Sequence, residues 1–209
     1  MSECCDQNAG ALAARQSATL KAVLAINAVT FMVMVAAALY SGSSALLSNS
    51  LDNLGDALAY GFSLYAISLG ARAKAHAAIF KGGLILLAAV AVSAQIVYRI
   101  LNPSVPIFGA MSGFALLNLA ANALCLILLW RHREEDVNMR SVWECSRNDI
   151  ADGLAVLFAA AGVWATGAAW PDLVVASGLA LLFFRSAYRV FANARASLIV
   201  HAQRSSDWR

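Results

Sequence analysis

The chain has 209 residues, of which 61% are hydrophobic and 13% charged, and it carries a formal net charge of +3. This balance excludes an ordinary soluble domain, and the scatter of basic residues between apolar runs excludes a nucleic-acid-binding face. At roughly 20–25 residues per crossing, the length accommodates about six membrane helices and little else.

Residues 1–18 contain Glu3 and Asp6 and no apolar core, so they read as a cytoplasmic N-terminal tail rather than a cleavable signal. Within the tail, the adjacent Cys4 and Cys5 are unsuited to a staple, and capture of metal weighs no more than an inert terminus. Apolar runs broken by charge, Gly or Pro predict helices over 20–41, 44–70, 75–100, 107–130, 138–167 and 171–193. Together they make an all-α, six-helix transmembrane domain over 19–195, followed by a short cytoplasmic tail, 196–209.

In the first helix Phe31, Met32 and Met34 read as packing or lipid-facing residues. The second holds Asp52 and Asp56, which share a face one turn apart. Gly82 and Gly83 in the third helix, and Ser177 and Gly178 in the sixth, permit close helix approach. Cys125 in the fourth reads as packing, and the segment Arg131-His132-Arg133-Glu134-Glu135-Asp136 as a solvated loop of mixed charge. His132, like His76, is expected to be a solvated residue at a helix end. The fifth helix offers two pairs at i,i+4 spacing, Cys145 with Asp149 and Asn148 with Asp152.

Basic residues set the orientation. Arg15, Lys21, Arg72, Lys74, Arg131, Arg133, Arg140, Arg195, Arg204 and Arg209 fall on one side if both termini are cytoplasmic, and Arg99 is the near exception outside. The outer turns then contain Gly42, Pro103, Pro106 and Gly167, residues suited to tight reversals. At about 1.5 Å of rise per residue, the acids of the second and fifth helices both reach mid-membrane. An acid at that depth is costly and marks function by default, so two such faces suggest closure around one divalent cation. The plainer reading pairs the acids with Lys81 or Arg147, but four acids exceed the bases at that depth.

The run Leu46-Leu47-Ser48-Asn49-Ser50-Leu51-Asp52-Asn53-Leu54-Gly55-Asp56 resembles the second helix of the cation diffusion facilitators, six-helix metal–proton antiporters. Their fifth helix pairs His with Asp four residues later, and a further Asp follows some 23 positions on. Asp172 in Trp170-Pro171-Asp172 stands at that distance from Asp149, and Arg185-Ser186-Ala187-Tyr188 resembles the family's Tyr-Ser-Ala segment. The resemblance selects Cys145 with Asp149, and so implies a metal site of Asp52, Asp56, Cys145 and Asp149. It departs from the family in having Cys145 for the usual His and only a short tail where relatives carry a cytoplasmic domain.

Three carboxylates and a thiolate suit a tetrahedral ion, with Zn²⁺ first and Cd²⁺, Co²⁺, Mn²⁺ and Fe²⁺ open. No prosthetic group is implied. Asp152 reads as a partner to the ligands, a proton relay or a cavity-lining charge, and Asn49 as a hydrogen-bonding neighbour of the ligands. The resulting expectation is a proton-coupled metal exporter, a homodimer in a bacterial inner membrane, whose partners are metal ions, protons and lipid. A proton or cation channel built on the same acids is the first alternative. An intramembrane metalloenzyme is the second, disfavoured because four protein ligands leave no open position for water.

Overall fold

The computed structural model describes the backbone of residues 2–65, 71–134 and 137–206, and side chains from 16 to 192 except 62–63, 65–78, 81, 135–138, 140–142 and 145. Among these residues six helices form: α1 (Ser2–Ser41), α2 (Ser44–Tyr65), α3 (Ala71–Leu101), α4 (Phe108–Trp130), α5 (Val137–Thr166) and α6 (Trp170–Ser206). The protein is an all-α membrane protein. Five helices are long and apolar enough to cross a bilayer. The sixth, α2, falls outside that group because Ser48, Asn49, Ser50, Asp52, Asn53 and Asp56 dilute its apolar character.

The chain turns where its small residues allow. Gly42 takes φ +73°, a conformation costly for any residue with a Cβ, and its N–H closes the end of α1 on the Ala38 carbonyl at 2.9 Å. Ser43 then caps α2, its Oγ accepting the Leu46 N–H at 3.0 Å. Gly167, at φ +62°, ends α5 in the same way, and Pro171 sits in the first turn of α6, where its missing N–H costs nothing. The polar ends of α1 and α6 extend past the apolar runs, since hydropathy marks the membrane-facing part of a helix and not its end.

Helices α1, α2, α5 and α4 pack in that order into a four-helix bundle, which places α2 and α4 diagonally across its centre. Helices α3 and α6 form a pair laid against it, with α6 covering the seam between α2 and α5. Lipid tails are as apolar as leucine, so close packing and hydrogen bonds must hold such helices together. The core shows this: Ala38, Ala45, Ala115, Ala159, Ala160 and Ala176 let the backbones approach around Met34, Leu46 and Met111. A second cluster of Leu20, Val23, Tyr60, Cys125, Leu129 and Met139 fills the bundle toward the chain termini.

Gly82 allows α3 to meet α6, because a Cβ there would lie 3.1 Å from Val190 and 3.3 Å from Phe191. Gly83 and Gly178 face open space instead, contrary to the expectation of a close approach at all three glycines. A second correction concerns His132. It is buried, with its ring against Thr19 Oγ1 at 3.2 Å, because α1 continues far enough to cover the end of α4. His76 and Lys81, like Cys4 and Cys5, have side chains outside the described residues.

Candidate metal centre

The acids of α2 and α5 meet at the seam beneath α6. Asp149 of α5 stands beside Asp52 and Asp56, two residues a turn apart on α2. Asp56 and Asp149 are buried, at 4% and 5% exposure. Asp52 is partly open and faces a cavity of about 420 Å³ that Ser48, Asn49, Asn148, Asp149, Asp152 and Ser186 also line. A smaller space of about 90 Å³ continues from Asp52 and Asp56 toward the chain termini, walled by Leu54, Leu58, Leu84 and Phe183.

Cys145 lies in α5 one turn before Asp149, and its side chain is outside the described residues. Among the described residues no three His, Cys, Asp or Glu side chains form a ready-made metal-holding group. Arg147, weighed above as a neutralising partner, is exposed and stands over the Trp143 ring at 5.5 Å.

Polar neighbours anchor the acids. Tyr60, fully buried and one turn after Asp56, donates its hydroxyl to Asp56 Oδ2 at 3.0 Å. Asn53 Nδ2 donates to Asn118 Oδ1 at 2.7 Å, and the Asn118 amide donates in turn to Asn49 Oδ1. All three asparagines are buried. The ladder joins α2 to α4 through the middle of the bundle and so fixes which face of α2 turns toward α5. Asn49 therefore serves the helix pairing through Asn118.

Sequence reasoning missed Asn118 and Tyr60. Asn118, Asn122 and Cys125 recur at i, i+4 and i+7 on the buried face of α4, and that spacing was the available signal. Cys125 is buried, as expected of a packing residue, and accepts a long contact from Asn27 Nδ2 at 3.5 Å.

Asp172 lies away from the acids at the turn end of the bundle. Its carboxylate accepts from Ser43 Oγ at 2.5 Å, from the Ser44 N–H at 2.7 Å and from the Ala45 N–H at 3.1 Å. These backbone groups are the open donors of the α2 N-terminus, where a negative charge is favourable. Asp172 thus fastens α6 to the start of α2. Arg99 lies beside this joint, against Gly42 and bonded to Ser104, with its charge within reach of Asp172.

Residues 20–199 match the model of the cation efflux transmembrane domain. No curated protein matches the chain.

Proposed function

The chain belongs to the cation efflux family, and we propose that it exports Zn²⁺ in exchange for protons, holding the ion with Asp52, Asp56, Cys145 and Asp149. Divalent cation efflux across a membrane follows from the family. The metal, the proton coupling and the ligand set are the proposal. One observation carries it: Asp149 stands beside Asp52 and Asp56 in a largely buried seam that adjoins a cavity.

A divalent ion entering among three carboxyl groups crowded in one seam exchanges with protons, because metal and proton compete for the same oxygens. Release runs in reverse when protons return from the other side. The arrangement of α3 and α6 against a four-helix bundle supplies two bodies that can move around a fixed site. Cys145 brings a soft ligand and favours Zn²⁺ and Cd²⁺ over Mn²⁺. The working unit is a homodimer in a bacterial inner membrane, with both termini in the cytoplasm.

The test uses proteoliposomes loaded with a pH-sensitive dye. Wild type exchanges Zn²⁺ for protons with saturable kinetics, and Asp56→Ala abolishes both fluxes. Normal exchange by Asp56→Ala removes the central site, and unsaturable flux without counter-transport indicates a channel.

A further inference from the structure

The large cavity extends beyond the proposed ligands. Asp152 follows Asp149 by three residues, about 4.5 Å along α5, toward the turn end of the bundle. Ser48 lies one turn from Asp52 in the same direction on α2, with Asn49 beside it. All three line the cavity, and the export mechanism above uses none of them as a ligand.

Two buried groups there lack partners among the described residues. Ser48 is 0% exposed and its Oγ makes no hydrogen bond. Asn49 is 1% exposed; its Oδ1 is taken by Asn118, whereas its Nδ2 makes no bond. Buried polar atoms of this kind are met by water when a cavity is polar and large enough. An ion carrying six waters, at roughly 30 Å³ each, needs on the order of 180 Å³. The cavity, at about 420 Å³, holds it with room to spare.

The donor set decides how such an ion is held. Asp152 is not joined by two further His, Cys, Asp or Glu side chains into a ready-made direct site among the described residues. A hydrated cation, however, presents water O–H donors in every direction. Asp152, Asp52 and Asp149 are acceptors for them, and Ser48 and Asn49 stand on the same wall with polar atoms still to be satisfied.

We infer that this end of the cavity is a second cation station, where Asp152 with Ser48 and Asn49 holds a hydrated divalent ion through its water shell. The ion waits there with its waters on, one turn from the site at which protein ligands replace them. The inference rests on the export reading for the identity of its cargo, but its chemistry is tested separately.

The probe is cobalt(III) hexammine, whose six ammines do not exchange, so that it occupies a station for hydrated ions and never a ligating site. Binding is measured by equilibrium dialysis on the full chain in nanodiscs of neutral lipid. Wild type and Asp56→Asn bind the probe alike, since Asp56 does not line this cavity. Asp152→Asn weakens probe binding by about tenfold or more, the effect of losing one charge-assisted hydrogen-bonding group, while Asp152→Glu retains it. Zn²⁺ binding shows the opposite pattern, lost in Asp56→Asn and kept in Asp152→Asn. Ser48→Ala, which removes no charge, weakens the probe severalfold and serves if Asp152→Asn does not fold. Probe binding that is absent from wild type, or unchanged by these substitutions, overturns the station. Zn²⁺ transport that survives Asp56→Asn overturns the export site instead and leaves the station standing on the probe result.

Discussion

Asn53 of α2 donates to Asn118 of α4 at 2.7 Å, across the diagonal of the four-helix bundle. This bond and its continuation to Asn49 join two helices that share no broad packing face, and so help to set the rotation of α2. That rotation carries Asp52 and Asp56 with it. Asn118→Ala leaves the Asn53 amide and the Asn49 carbonyl buried without their partner. Interhelical bonds in membranes contribute about 0.6 kcal/mol on average, and an orphaned polar group costs about 1–3 kcal/mol. The expected loss is therefore about 1–3 kcal/mol, read as a lower unfolding midpoint in detergent. Maximal Zn²⁺ flux falls with it, and Asn118→Gln restores flux in part. Unchanged flux and midpoint would show that α2 is held by its other neighbours.

Asp172 is expected to matter for assembly and not for metal. Its carboxylate satisfies Ser43 Oγ and two backbone N–H groups at the start of α2. Asp172→Asn turns a donor toward donors, and Asp172→Ala removes the acceptor entirely. Either costs about 2–4 kcal/mol, on the scale of losing a buried charged acceptor with several partners. Chains of Asp172→Asn that remain folded bind Zn²⁺ with wild-type affinity by titration calorimetry. Loss of Zn²⁺ binding from a folded variant would place Asp172 in the transport path.

The six helices and their junctions were legible because crossing a membrane demands long apolar runs and turning back demands Gly or Pro at defined points. Gly42 and Gly167 both adopt the positive φ that such turns require. The approach of Asp149 to Asp52 and Asp56 was legible as well, since acids at one depth on neighbouring helices have few other companions. Asn118 was not, because a lone amide in an apolar helix gives no hint of which helix it faces. His132 was misread for a related reason: whether a helix end is solvated depends on what covers it, and α1 covers this one. Asp172 was visible as a marker of register, but its role as a cap on α2 exists only once α6 has folded back.

Tyr60 orients Asp56. Its hydroxyl holds Oδ2 at 3.0 Å within a fully buried setting and so fixes the direction of the carboxylate. Tyr60→Phe keeps the ring that packs with Val23, Cys125 and Leu129, so the fold changes by no more than about 1 kcal/mol. The carboxylate loses its fixed direction, however, and KM for Zn²⁺ rises about three- to tenfold with little change in kcat. Measuring initial rates across a Zn²⁺ series separates the two parameters. A fall in kcat at constant KM would instead assign Tyr60 to the moving step.

Cys145 stands one turn before Asp149, at the position where the resemblance expects His, and its chemistry sets a prediction on metal preference. Thiolate is softer than imidazole, and both are softer than a hydroxyl or a carboxylate. Cys145→Ser should therefore lower Cd²⁺ transport more than Zn²⁺ transport, whereas Cys145→His should keep Zn²⁺ and lower the Cd²⁺ to Zn²⁺ ratio. Mn²⁺, which prefers oxygen, should lose least in the Ser variant. The ranking matters more than the absolute rates, because a variant that folds poorly loses all three metals together. Competition between Cd²⁺ and Zn²⁺ in one preparation cancels that common factor. A ratio unchanged by both substitutions would remove Cys145 from the ligand set and pass the fourth position to water or to Asp152, which lines the same cavity as Asp52 and Asp149.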